Sequence, residues 1–348
     1  MDYSTLKLNQ RVILDLDVKK DNEGNEDRQY VLDIVARPDH VQYASILSDG
    51  SVTISNGFTY QVIRKLDTKL NSTVGIQYQE DAPYNLYTVN QTGTFQVWDS
   101  NTGALLKSYD FGVSVYSFNI LCGGSLLLLG SDSHIIFVDI ATGNLVGTYK
   151  DVHSEPVTQI IRHPLYNTVF MSGSEDGLIC IFDISRGNQD ESLVTILNID
   201  SAVERLGWWG ENMEMIWCIS MTRGIFLYNS RTSDLIKGIA DATNILENRN
   251  IILDYLVGLI FNENTPLLLA GDEQHNLYVI QFNDKPSVIN TLVGHKDIVR
   301  CYTILNKCFI TGAEDSSLCI WTSGYQIQQS SLKQQRERKT FSNKPYTK

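Results

Sequence analysis

The densest set of reactive side chains lies in residues 294–322, "GHKDIVRCYTILNKCFITGAEDSSLCIWT", where His295, Thr311, Asp315 and Trp321 follow one another. A hydroxyl, an imidazole and a carboxylate in reach of each other can act as nucleophile, base and orienting acid. A second set, His153, Ser172 and Asp176, has the same order, with Phe182 where the first has Trp321. Hydrolysis would also require oxyanion donors and an open route to the hydroxyl, and no such constellation can be assembled from the chain. A metal site is no better supported. The six cysteines (Cys122, Cys180, Cys218, Cys301, Cys308, Cys319) include no CxxC pair, so zinc ligation at short spacing is absent and buried free thiols are expected. The remaining histidines, His40, His134, His163 and His275, each stand alone in a strand or turn. No cofactor is implied.

The elements that must position these residues recur along the chain. Aligned on "SGSEDGLICIFD" (172–183), further copies are "SILSDGSVTISN" (45–56), "TVNQTGTFQVWD" (88–99), "LGSDSHIIFVD" (129–139), "SMTRGIFLYN" (220–229), "AGDEQHNLYVIQ" (270–281) and "TGAEDSSLCIWT" (311–322). Their ends are 43, 40, 44, 46, 52 and 41 residues apart. Such a period signals a repeat architecture. Each unit alternates apolar and polar residues in short runs between Gly, Asp, Asn and Ser turns, which predicts strands joined by hairpins. One small sheet cannot bury both faces, so the expected solution is seven four-stranded sheets packed radially in a ring.

The "VWD" at 97–99, "GH" at 294–295 and "SGSEDG" at 172–177 make residues 28–323 resemble the WD-repeat (WD40) family of β-propellers. Several copies depart from it: Ser55, Tyr228 and Ile280 stand where the family has Trp. The stretches "HSEPVTQIIRHP", "SGSEDGLICIFDIS", "ESLVTILNIDSAVERLGWWG" and "ILDYLVGLIFNENT" resemble one narrower branch of that family. The resemblance implies that His295, Thr311, Asp315 and Trp321 form a structural tetrad inside one blade, repeated without the indole by His153, Ser172 and Asp176. It also implies that partners use the top face around the central channel. The residue before the tetrad Asp would lie there in each blade: Ser48, Gln91, Asp132, Glu175, Met221, Glu273 and Glu314. Positions flanking the start of each inner strand add Tyr30, Tyr116, Tyr255, Glu204 and Arg300, among others.

The full chain has 348 residues and a formal charge of −12. Residues 324–348 carry Lys333, Arg336, Arg338, Lys339, Lys344 and Lys348 against Glu337, which leaves the rest at −17. So acidic a body repels a phosphate backbone and attracts basic proteins; nucleic acid is expected only weakly, through the tail. No apolar run reaches the roughly 18 residues of a membrane span, and the N-terminus has no leader pattern. We therefore expect an intracellular protein of cytoplasm and/or nucleus with no membrane partner.

Three segments are expected: 1–27 supplies a closing strand over 9–17, with alternating Val12, Leu14 and Leu16, and an acidic turn; 28–323 is the propeller; 324–348 is a polar, basic, disordered tail. Residues 241–252 form an insertion whose Ile245, Leu246, Ile251 and Ile252 should pack down. The function expected is a non-catalytic interaction module or scaffold, with a top face that recognises partner segments, basic ones in particular. The alternative is an escort for a highly basic client such as a ribosomal protein or histone, and a propeller enzyme ranks below both.

Overall fold

The computed structural model describes residues 1–14, 19–20, 26–69 and 72–323. The acidic turn after Lys20, Leu16 and the basic tail fall wholly or largely outside them. Seven four-stranded antiparallel sheets follow one another along the chain as the blades of a β-propeller. Blade one comprises Val31–Ala36, Gln42–Leu47, Val52–Asn56 and Val62–Leu66, innermost to outermost. The inner strands of the next six blades are Thr73–Tyr78, Ser117–Leu121, Gln159–Arg162, Val203–Trp209, Tyr255–Asn262 and Val299–Leu305. Lys19–Lys20 and Glu26–Asp27 form a separate two-stranded ladder.

The core is divided among the blade interfaces. Seven apolar clusters each join two neighbouring sheets: Trp321 and Phe309 with Leu267 and Leu269 between blades six and seven, for example, or Ile310 and Leu318 with Val31 and Ile34 where blade seven meets blade one. Alternation along each strand puts one side chain on each flank, so every middle strand is buried on both sides. That explains burial patterns such as that of Cys308–Ala313, in which all six residues are buried.

Blade seven has only three strands from the end of the chain, Val299–Leu305, Cys308–Ala313 and Ser317–Ser323; its fourth is Leu6–Ile13. Leu6 pairs with Ser323 and Ile13 with Ser317, antiparallel, with a bulge between Leu8 and Gln10. The ring is thus closed by the N-terminal strand, which begins three residues earlier than the sequence suggested. Closure pairs the edge of Ser317–Ser323, which would otherwise be open.

The insertion packs down. Ala242, Leu246 and Leu253 are fully buried between blades five and six, with Ile245 and Ile251 partly covered, while Ile252 stays exposed. A single 3-10 turn, Glu247–Arg249, ends at Asn250, whose φ of 56° gives the left-handed residue that turns the chain back. The outer strand of blade five, Leu235–Ile239, precedes it.

Candidate functional site

The tetrad is assembled by blade seven. Turn residue His295 sets Nε2 2.7 Å from the Thr311 hydroxyl, and Thr311 Oγ1 accepts the Trp321 indole N–H at 2.9 Å. His295 Nδ1 lies 3.5 Å from Asp315, whose carboxylate also accepts the Ser317 hydroxyl at 2.6 Å and the Lys296 N–H at 2.7 Å. With Nδ1 protonated, every link has one donor and one acceptor. Burial would raise the Asp315 carboxyl, but hydrogen bonds from His295, Ser317 and Lys296 pull it far below its ordinary value. A further partner comes from far along the chain: Arg11 of the closing strand donates to Asp315 at 2.8 Å and, through Nε, to Ser317 at 3.1 Å. The tetrad is therefore tied to ring closure.

Blade four repeats the chain. His153 Nε2 meets Ser172 at 2.8 Å and Nδ1 meets Asp176 at 3.1 Å, while Phe182 stacks on Phe170 where blade seven has its indole. Burial lowers the His153 pKa, and the Asp176 charge partly opposes that shift. Elsewhere the set is reduced: blade two keeps Trp98 donating to Thr88, and blade six has instead a separate hydrogen bond, from the Tyr278 phenol to Asp272 at 2.7 Å. Five of the six cysteines are buried; Cys122, in the turn after the inner strand of blade three, is half-exposed, so that expectation is corrected there. A turn leaves the backbone around a side chain incompletely covered.

The top face is the end that carries the turns between second and third strands. Five inner strands have a register shift there, at Val31/Asp33, Thr73/Gly75, Val203/Arg205, Leu256/Gly258 and Val299/Cys301. The extra residues are Leu32, Val74, Glu204, Val257 and Arg300. A bulge re-aims its extra residue, with different outcomes here: Val257 is buried in the cluster between blades six and seven, Glu204 is half-buried and Arg300 is exposed.

The nine rim residues separate into three environments. Asp132 and Glu175 are exposed on blades three and four, and the Tyr116 phenol donates to Asp132 at 2.9 Å. That hydrogen bond, with the field of Glu175 adding to it, raises the Tyr116 pKa. Glu273 on blade six and Tyr30 on blade one are also exposed. Glu314, by contrast, is buried and paired with Arg300. Glu204 lies half-buried near them; burial raises its pKa and the charges of Arg205 and Arg300 pull it back. The Tyr255 oxygen accepts the Val299 N–H at 3.2 Å, and its ring occupies the space beside Gly271, where a Cβ would come within 2.1 Å.

Within the channel the sequence reading overlooked Asp33, Arg205 and Tyr302. Arg205 reaches from blade five to donate to the Arg300 carbonyl at 2.7 Å, and the half-buried Tyr302 phenol donates to the Leu259 carbonyl at 2.7 Å. A charged residue inside each of the apolar runs "VLDIVA" and "VERLGWW" was the available signal. Among the described residues no group of three or more His, Cys, Asp or Glu could hold a metal ion. No helix among them is long and apolar enough to cross a membrane.

A family model described as WD domain, G-beta repeat matches residues 143–183 and 286–322. These two stretches contain the two His–Ser/Thr–Asp chains, the repeats in which the hydrogen-bonded set is most complete. The chain is 24% identical over 313 residues to the WD repeat-containing protein 89 homolog of Dictyostelium discoideum, covering 87% of this chain and 85% of that one. It is 24% identical over 332 residues to the WD repeat-containing protein GTS1 of Arabidopsis thaliana, covering 88% and 84%. A shorter match, 28% over 119 residues, is to the U3 small nucleolar RNA-associated protein 15 of Schizosaccharomyces pombe, covering 34% of this chain and 24% of that protein.

Proposed function

We propose that this seven-bladed β-propeller of WD40 repeats is a non-catalytic protein-interaction scaffold that takes a basic segment of a partner on its top face, over blades three and four. The observation that carries this reading is the convergence of Tyr116, Asp132 and Glu175. Two exposed carboxylates from adjacent blades flank one aromatic ring, and among the described residues neither carboxylate has a basic partner. Such a surface supplies steering, ion pairing and a ring face for a Lys or Arg. Glu314 does not contribute a free charge, because Arg300 already neutralises it.

An escort for a strongly basic client is the same chemistry on a larger scale, and the −17 body supports it. We place the protein in cytoplasm and/or nucleus; the relative named for association with a small nucleolar RNA favours the nucleus. The test is affinity purification at low and moderate salt with Asp132, Glu175 and Glu273 changed to Lys. Basic partners recovered by the native protein should be lost. A control with the bottom-face acids Glu211, Asp234 and Glu263 changed to Lys should retain them. Equal recovery by both triple variants would remove the proposed site.

A further inference from the structure

The bottom face carries the turns between first and second strands, and that of blade four, residues 163–168, is tied to the blades on both sides. His163, 5% exposed, stands at its start and sets Nε2 3.2 Å from the Met213 carbonyl in the corresponding turn of blade five. On the other side the Asn167 carbonyl accepts the Cys122 N–H of blade three at 3.2 Å. Within the turn, the main-chain N–H groups of Leu165 and Tyr166 both point at His163 Nδ1, at 3.1 and 3.3 Å.

These contacts leave the imidazole one protonation state. Nδ1 accepts from two donors, so the ring proton sits on Nε2 and is donated to Met213. A second proton would have to bind Nδ1, where it would face the two N–H groups that now use the lone pair. His153 and His295 differ, because among the described residues each has a carboxylate within 4.0 Å of Nδ1. Around His163 the residues Pro164, Leu165, Tyr166 and Asn167 carry no charge, and the Tyr166 and Trp208 rings pack on the imidazole at 4.7 and 4.6 Å between centroids. Arg162, one residue back, pairs with Glu80 of blade two, and Asp183 of the third strand accepts from Thr168 and Ser185 and pairs with Arg186. Cys122 of blade three presents a thiol whose pKa burial raises. In the turn of blade five, Glu211 is exposed and Glu214 accepts the Asn212 N–H. Burial lowers the His163 pKa, and the bond to Met213 opposes that shift only in part.

Release of the turn costs little. Leu165 and Tyr166 are already 58% and 54% exposed, so opening uncovers little more of their apolar surface. The buried indole N–H of Trp208 has no acceptor among the described residues and would gain water. We propose that His163 is an acid-sensitive latch: neutral, it fastens the bottom turn of blade four to blade five, and on taking a proton from solvent at Nδ1 it lets residues 164–166 swing away and uncovers the Trp208 ring between the two blades. The device puts a pH-controlled aromatic surface on the face opposite the acidic rim, and it is independent of the top-face reading.

The unfastened imidazole has the ordinary pKa near 6.5, whereas the fastened one stays neutral to lower pH. The closed turn is therefore favoured above pH 6.5 and loses ground as pH falls below it, and the weight of the open turn rises about tenfold between pH 7.5 and 5.5. Hydrogen exchange followed by NMR on the full-length protein reads this at the amides of Leu165 and Tyr166. Their protection, corrected for the intrinsic pH dependence of exchange, should fall about tenfold over that range, and nitrogen-15 shifts should place the His163 proton on Nε2 at pH 7.5. His163→Gln retains an acceptor and a donor but takes up no proton, so its protection should not change with pH. His153→Gln should keep the tenfold fall, which separates the latch from titration of the blade-four His–Ser–Asp chain. Acrylamide quenching of tryptophan emission should rise over the same range, and Trp208→Phe should remove the rise. An Nδ1–H tautomer at pH 7.5, native protection that does not change with pH, or an equal fall in His163→Gln overturns the latch. A quenching rise that survives in Trp208→Phe overturns the uncovering of that ring.

Discussion

Thr311 looks like an activated nucleophile only until its second contact is counted. Its oxygen accepts the Trp321 N–H while its proton goes to His295, and the residue has no exposed surface, so no substrate carbonyl can reach it. What the set stores is stability. His295→Ala removes the partner of the Thr311 hydroxyl and one donor to Asp315 inside the core. Chemical denaturation should show a loss of about 1–3 kcal/mol, the usual cost of an unsatisfied buried polar group. The pH dependence has a worked sign. Because the folded Asp315 pKa lies below its unfolded value of 3.8, its contribution is present above that pH and is lost as pH falls through the folded value. His153 is also depressed when folded, so the unfolded chain takes up its proton first and stability declines as pH falls below about 6.5. His153→Gln should flatten the melting temperature between pH 7.5 and 5.5; a profile as steep as that of the native protein would count against this role. At this scale the sequence showed which residue types occur together within one blade. It could not show Arg11 at Asp315, since the two are 304 residues apart and only ring closure brings them together.

The closing strand is the element on which the ring depends most. Its alternation was legible in Val12 and Leu14, but its start was not: polar Gln10 and the bulge between Leu8 and Gln10 separate Leu6 and Leu8 from that run, so the strand was placed at 9–17 and is found at Leu6–Ile13. Deleting residues 1–13 removes a whole ladder partner of Ser317–Ser323 and the Arg11 ion pair together. The exposed strand edge should drive oligomerisation, which size-exclusion chromatography would show as loss of the monomer peak; a monomer of unchanged melting temperature would contradict a closed ring. The insertion makes a second element-scale case. Leu246 has no exposed surface and belongs to the cluster between blades five and six, so Leu246→Ala should cost about 2–5 kcal/mol, measured by urea denaturation. Ile252, equally apolar in the sequence, is 59% exposed and its truncation should cost little. Composition identified a segment that packs down, yet the contact side of a single turn is set by Asn250 and by neighbouring blades.

Across the whole molecule, charge acts on folding and on binding with opposite sign. A ring of seven separate interfaces was legible from the repeat period, because period and strand content together leave few ways to bury seven sheets. The distribution of carboxylates between paired and free was not, since Glu314 and Glu175 occupy equivalent turn positions and differ only in whether Arg300 stands opposite. With a body at −17, mutual repulsion should destabilise the compact state at low ionic strength, and added salt should relieve it. Raising sodium chloride from about 20 to 300 mM, which shortens the screening length from roughly 20 Å to about 6 Å, should therefore raise the melting temperature by a few degrees. The same change should weaken capture of a basic segment, because attraction between partly exposed charges is screened. Opposite slopes in the two measurements separate the surface charge from the fold it sits on. If melting temperature and basic-peptide affinity fell together with salt, ion pairs such as Arg11–Asp315 and Arg300–Glu314 would outweigh the net charge, and the acidic body would lose its part in recognition.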